Sequence, residues 1–259
     1  MRNIIRDLIE SHGLFDFEVS RDRHVKQNFE GLGEIISFFF MKELSDEFSN
    51  PHSAFQYGRK VQKSYGLGLA EIEEMANIHL PAKVLDFEGE IKMKIEDEFF
   101  DSYLGYFFSG VYHDIMDKGD VITIDLRRFP PGFPHLRYRL GNKWGFGYRH
   151  RKGELRIIGY SGGYLGQEMM GGRIEVVGRV SDRTGYRMVD GVIRIIGSCG
   201  WRTGDEMRGG RIIIEGDAGE WTGINMYGGE IRVRGEIKSI GKRHGGRIFH
   251  WREEWREMF

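Results

Sequence analysis

Between Arg127 and Lys152 the chain carries eight basic residues, Arg127, Arg128, Arg137, Arg139, Lys143, Arg149, Arg151 and Lys152, with six aromatics and no acid. Basic side chains interleaved with Phe129, Phe133, Tyr138, Trp144, Phe146 and Tyr148 have the composition to follow a phosphate backbone and stack bases. The same mixture of arginine and aromatic residues is enriched at protein interfaces, and Glu88, Glu90, Glu96, Asp97 and Glu98 lie just upstream as internal partners. An interface, with the acidic N-terminal part or with another protein, is the leading reading; an anion or nucleic-acid patch is the second. His113, Asp114, His135 and His150 are the residues from which an acid–base or ligand site could be built, but no spacing among them is diagnostic. A histidine beside an aspartate is usually a satisfied surface pair. Cys199 stands alone, which excludes an internal disulfide framework. The chain has no cysteine set for an iron–sulfur cluster, no P-loop, and no G-x-G-x-x-G in a strand–turn–helix context. No catalytic, cofactor-binding or metal residue is therefore assigned, and no cofactor.

The elements that must position these residues are set by a repeat. Gly153, Gly172, Gly191, Gly210 and Gly229 recur with a 19-residue period; so do Gly159, Gly178, Gly197, Gly216 and Gly235, and Gly166, Gly185, Gly204 and Gly223. Apolar pairs keep the same period: Leu155, Ile174, Ile193, Ile212 and Ile231, then, two residues on, Ile157, Val176, Ile195, Ile214 and Val233. The i, i+2 alternation is that of a short strand with one buried face. No single unit can bury that face alone, so the units must stack, as in a solenoid. Stacked in register they form a parallel β-helix, with equivalent corners about 4.8 Å apart. Glycine there allows positive φ and close backbone approach. Further columns face inward: Ser161, Val180, Cys199, Ala218 and Ile237; Leu165, Thr184, Thr203 and Thr222; Met169, Met188, Met207 and Met226. They predict a filled core, with Cys199 a small buried hydrophobe. The outward column Arg156, Glu175, Arg194, Ile213, Arg232 keeps no single chemical type. No aspartate ladder for calcium and no leucine-rich signature accompanies the period.

The chain has 259 residues and a net charge of −1, which gives no global attraction to nucleic acid or anionic membrane. No apolar run approaches the roughly 20 residues of a membrane span. Charges interrupt the N-terminal apolar stretch, so an intracellular, cytoplasmic protein without membrane contact is expected. Charged residues make up 30% while Asn and Gln are scarce, a bias met in thermophiles. The expected organisation is a helical module over 1–82, a mixed connecting segment over 83–118, the parallel β-helix over 119–241, and a C-terminal cap over 242–259. Ile4, Ile5, Leu8 and Ile9 predict a first helix ending at Gly13. Further helices are expected over about Leu32–Phe48, Ala54–Tyr65 and Leu69–Ile78, a strand pair within Val84–Ile95, and an aromatic helix within Glu96–Met116. Gly119–Asp125 reads as a first coil strand. Leu136, Tyr138 and Gly147 sit one 19-residue period before Leu155, Ile157 and Gly166, so the coil is expected to start near Gly119 with irregular first turns. Trp251, Trp255 and Phe259 fall at i, i+4 and i+8, one face of a short capping helix.

The segments GSCGWRTGDEMRGG (197–210) and GDAGEWTGINMYGG (216–229), followed by RIIIEG and EIRVRG, resemble the G-x-x-G-x-x-x-G units of two related groups. These are the C subunit of formylmethanofuran dehydrogenase and the C-terminal domain of the glutamate synthase large subunit. Gly159, Gly162 and Gly166 fit the same unit, while Ser181 replaces the middle glycine between Gly178 and Gly185. The resemblance covers residues 153–241, about a third of the chain, and none of residues 1–118. It implies a right-handed β-helix used as a rigid spacer that docks catalytic domains or subunits carrying flavin, pterin, metal or iron–sulfur chemistry. It carries over no catalytic residue. The expected role is a non-catalytic scaffold subunit of an oxidoreductase or amidotransferase assembly. Its partners would be catalytic subunits or further copies of itself, with nucleic-acid binding through 127–152 as the alternative.

Overall fold

The computed structural model describes residues 29–44, 47–81, 103–128, 144–252 and 254–258. The expected helix ending at Gly13 and the strand pair within Val84–Ile95 lie outside them. Among the described residues four helices come first: α1 (Phe29–Leu44), α2 (Pro51–Tyr65), α3 (Leu69–Glu74), which runs on as a π-helical turn (Met75–His79), and α4 (Leu104–Tyr112). Asn50 caps α2: its Oδ1 accepts from Ser53 N at 3.0 Å, Pro51 fills the first helical position, and Gly66 closes the far end in the left-handed region. α2 and α4 cross where neither has a side chain. A Cβ on Gly58 would lie 2.1 Å from the Phe107 carbonyl oxygen, and one on Gly110 2.0 Å from that of Phe55.

Eight strands follow in a single sheet in chain order: β1 (Val121–Asp125), β2 (Glu154–Ile158), β3 (Met170–Val177), β4 (Asp190–Ile196), β5 (Arg211–Ile214), β6 (Glu230–Val233), β7 (Arg247–Arg252) and β8 (Glu254–Met258). β1 to β7 pair in parallel, each with the next, which makes the C-terminal half a parallel β-solenoid with 19-residue rungs from β2 to β6. The two strand columns and the four methionines of the repeat are fully buried. Helical and coil side chains form one continuous core, from Leu32 to Ile248.

The three glycine columns do three different things. Gly178 and Gly197 sit where backbone meets backbone: a Cβ would come within 2.0 Å of the Gly159 carbonyl oxygen and 1.9 Å of the Gly178 one. Gly166, Gly185, Gly204 and Gly223 clear inward space, since in each a Cβ would lie 2.5 Å from the Cδ1 of Ile193, Ile212, Ile231 or Ile248. Gly191, Gly210 and Gly229 each overlie the methyl of a methionine one rung back, at 2.6, 2.6 and 2.7 Å from the would-be Cβ. Gly172, Gly210 and Gly229 also approach the carbonyl oxygens of Gly153, Gly191 and Gly210 (2.9, 2.8 and 2.8 Å), so that column lines up along one axis. Outside, the mixed charge column pairs across rungs: Glu175 meets Arg173 at 2.8 Å and Arg156 and Arg194 at 3.9 and 3.8 Å. Glu230 is held by Arg211, Arg232 and Arg247.

The structure bears on three expectations. First, the strand beside β2 is β1, in register Ile122 with Leu155 and Ile124 with Ile157, while Leu136 and Tyr138 lie outside the described residues. The first rung, from Val121 to its partner Glu154, is far longer than the later ones. Toward its end Gly147, Arg149 and His150 keep the 19-residue relation to Gly166, Glu168 and Met169, with the Gly147 backbone beside Gly166. Secondly, the coil does not stop at Gly241. β7 pairs with β6 at an offset of 17, after a rung shortened by two residues. Thirdly, the C-terminal segment is not a helix: β8 folds back antiparallel on β7 with Trp251 opposite Trp255, ring centroids 5.3 Å apart. Residues four apart are neighbours on a helix and also across a tight hairpin centred between them. The open edge of β6, which templates β7, decides between the two.

The start of the coil is closed by side chains. Thr123 N donates to Glu73 Oε1, Asn77 Nδ2 donates to the Thr123 carbonyl at 2.7 Å, and Asp125 N donates to Asn77 Oδ1 at 2.7 Å. Glu73 and Asn77, four apart on one helix face, thus replace the missing strand and blunt an edge that would otherwise pair with other chains. Asn77→Ala is expected to cost about 1–3 kcal/mol and to make the protein aggregate with rising concentration, read by denaturant unfolding and light scattering. Gly197→Ala is expected to cost about 3 kcal/mol or more through overpacking. Gly31→Ala, in α1 with nothing within 4 Å of the new methyl, should instead add about 0.5–1 kcal/mol.

Candidate functional site

His113 and Asp114 leave the end of α4 in a turn. His113 Nδ1 lies 2.9 Å from Asp114 Oδ1, and Asp114 Oδ2 accepts from Arg59 Nε at 2.8 Å, with Arg59 Nη2 at 2.7 Å. Arg151, from the first coil corner, reaches Asp114 at 3.5 Å. Burial lowers the pKa of His113, partly offset by its bond to Asp114. Burial works against the Asp114 carboxylate, yet the hydrogen bonds from His113 and Arg59 outweigh it and hold the group below its usual range. The cluster ties α2, the turn after α4 and the coil together, and its carboxylate is saturated by internal partners.

His150 does not join that cluster as a reactive group. It occupies the methionine column one rung before Met169, is 1% exposed, and sets its Nε2 3.3 Å from the Gly153 carbonyl oxygen. Its place one 19-residue period before Met169 was readable in the sequence. His135 lies outside the described residues. Cys199 stacks between Val180 and Ala218 as its column predicts, with Sγ 3.1 Å from Thr203 Oγ1, and burial pushes its thiol up to about 11, so it stays protonated at neutral pH. Among the described residues no group of three or more His, Cys, Asp or Glu is placed to hold a metal ion.

The basic aromatic segment divides. Arg137, Arg139 and Lys143, with Phe129, Phe133 and Tyr138, lie outside the described residues, as do Glu88, Glu90, Glu96, Asp97 and Glu98. Arg128 closes a 3₁₀ turn after β1. The described cations are paired within the chain: Arg127 with Asp125 at 2.8 Å, Arg149 with Glu168 at 2.9 Å, Arg151 with Asp114, and Lys152 with Asp117 at 2.9 Å. Trp144, Phe146 and Tyr148 are buried and cannot stack bases. They receive α4 instead. A Cβ on Gly105 would lie 2.2 Å from the Trp144 carbonyl oxygen, Tyr106 Oη donates to Gln167 Oε1 at 2.6 Å, and Tyr148 N donates to Ser109 Oγ at 3.1 Å.

The feature that reading the sequence missed lies on the turn edge of the coil. Nine non-glycine residues, in two columns of the repeat, have φ of 54° to 57°. One column is Tyr164, Arg183, Arg202 and Trp221; the other is Arg149, Glu168, Arg187, Glu206 and Asn225. Each such residue stores roughly 1 kcal/mol or more of strain. The rung above holds them in place: the N–H groups of Tyr164, Arg183 and Arg202 donate to the carbonyls of Asp182, Trp201 and Glu220 at 2.9, 2.9 and 2.8 Å. Of these residues Trp221 (43%) is exposed, as are Trp201 (54%) and Tyr227 (55%) in neighbouring columns. The signal was a second pair of turn columns beside the glycines, hidden because they keep no residue type. An open groove of about 670 Å³ follows the Gly191–Gly210–Gly229 column, and the stacking already described accounts for its glycine floor.

Comparison with models of known families, with curated proteins and with solved structures returns no match. His113, His150, Cys199, Arg127, Arg149, Arg151 and Lys152 are thus engaged inside the molecule. Burial moves His150 down to about 4 from the usual 6.5. Between those values the unfolded chain binds a proton that the folded chain does not, so stability falls as pH drops from 6.5 toward 4 and levels off below. The window is worth up to about 3 kcal/mol. His150→Met, which restores the column, should flatten that part of the profile, measured as denaturant midpoint against pH.

Proposed function

We propose that this chain is a non-catalytic scaffold subunit of a cytoplasmic multienzyme complex, of the kind exemplified by the formylmethanofuran dehydrogenase C subunit or the glutamate synthase β-helix domain. In this reading the coil winds to the right, the hand that nearly all parallel crossovers take. The observation that carries the proposal is a contrast. The residues able to do chemistry, His113, Asp114, His150 and Cys199, are tied up in ion pairs or core columns. Trp201, Trp221 and Tyr227 meanwhile stand uncovered on a filled, stiff rod. Exposed tryptophan and tyrosine beside arginine have the composition of binding hot spots. Among the described residues no helix is long and apolar enough to cross a membrane.

The partner would be an enzyme subunit carrying the reactive group of an oxidoreductase or amidotransferase reaction, with this chain fixing distance and orientation. Affinity purification of the tagged chain from its native host, at physiological salt, is expected to bring down a partner in fixed stoichiometry. Recovery of the chain alone would sink the proposal.

A further inference from the structure

The two ends of the coil are finished differently. At the start, Glu73 and Asn77 satisfy the edge of β1, and α4 lies against the first corner. At the far end, β8 pairs along β7, and Arg243 Nη2 donates to the Met258 carbonyl. On the turn side each rung gives hydrogen bonds to the next: Ala218 N to Glu236 O, Thr222 N to Ser239 O, Asn225 N to Lys242 O, and Gly241 N to Thr222 O. Among the described residues the last rung has no successor. Among the described residues, the N–H groups of Ile237, Ile240 and Lys242 and the carbonyls of Ile240 and Arg243 have no hydrogen-bond partner. Ile237 and Ile240 are half-buried against the core beneath them. The coil stops in mid-stack, with the pattern for one more layer already laid down.

The rim of this opening has a sign. Lys238 and Lys242 are exposed there, against exposed Glu236, while Arg252, Glu254 and Arg256 are exposed on the β7–β8 hairpin. Arg256 is engaged by Glu254 at 3.3 Å, while Lys238, Lys242 and Arg252 pair with no acid among the described residues. Two copies meeting end to end would bring these like charges together. We propose that the open turn side of the last rung, bounded by Lys238 and Lys242, is the docking face for an acidic polypeptide segment of the partner subunit, which adds its backbone to the ladder. This rests on the scaffold reading above and says where the partner binds. Strand addition to an exposed ladder draws affinity from main-chain hydrogen bonds and selectivity from flanking side chains. A protein segment fits this end better than a nucleic acid, because the unmet groups are alternating N–H and C=O with backbone spacing.

The test uses the full chain with its native partner. In the purified complex, amide hydrogen exchange at Ile237, Ile240 and Lys242 should slow at least tenfold relative to the free chain. Lys238→Glu with Lys242→Glu should cut partner recovery at least tenfold with an unchanged melting temperature. If the lysines served only to keep the end from aggregating, reversing their sign would leave partner recovery intact, and the proposal would fall. A complex that forms but leaves those three amides unprotected also overturns it, while the scaffold reading survives. Nucleic acid in place of protein in the eluate, or no partner at all, removes both.

Discussion

Each rung of this molecule lies close enough to the next that its backbone is the neighbour's main hydrogen-bonding partner. That spacing leaves no room for a Cβ at Gly178 or Gly197, where it would meet a carbonyl oxygen at 2.0 or 1.9 Å. The rest follows. With the main chain stacked this tightly, the strand and methionine columns repeat by type, so Ile overlies Ile, Met overlies Met, and the corner glycines clear the isoleucine methyls. The same ladder can hold residues as bulky as Trp221 in a left-handed conformation that they would not choose alone. Neighbouring turns over-determine the corner, and the strain of one residue is spread over the hydrogen bonds of its rung.

Positions where the backbone dictates the residue were the ones legible in the sequence. The glycine, isoleucine and methionine columns, the burial of Cys199 and the strand at Val121–Asp125 all follow from a 19-residue spacing plus side-chain size. Helical spacing placed the end of α2 at Tyr65 and the start of α3 at Leu69, but α2 begins at Pro51, ahead of the expected Ala54, because Asn50 caps it there, and α3 passes into a π-helical turn after Glu74. The misreadings arose where one pattern suits two structures. Trp251 and Trp255 satisfy a helix and a hairpin equally, and only the β6 edge, a tertiary partner, selects the hairpin. The long first rung that joins β1 to β2 departs from the period. A fixed spacing cannot reveal an insertion.

The candidate site was legible in outline and misleading in composition. The interleaved arginines and aromatics of 127–152 resemble a nucleic-acid patch, yet the described aromatics are buried where α4 enters the first rung, and the described cations find Asp114, Asp117, Asp125 and Glu168. Clustering in sequence does not distinguish a binding surface from an internal seam, since both need large apolar area and charge that can be satisfied locally. What separates them is exposure. By that measure the bare aromatics are Trp201, Trp221 and Tyr227, which sit in columns of no fixed type and therefore gave no signal.

A stacked coil also constrains where function can reside. Its interior is fixed by packing, and a polar catalytic set placed there would interrupt every column it touched. Its outward sheet face is laced by ion pairs such as Glu230 with Arg211, Arg232 and Arg247, which consume their own charges. Two regions escape these demands. One is the turn edge, where Trp201, Trp221 and Tyr227 are exposed. The other is the ends, where the ladder must be terminated by something other than itself. The N-terminal end shows how complete a termination can be, with two helix side chains binding alternate residues of β1. A solenoid needs such caps to remain a discrete molecule, so an end left partly uncapped, with unpaired lysines at its rim, is the place where a second protein can complete the fold and be held by it.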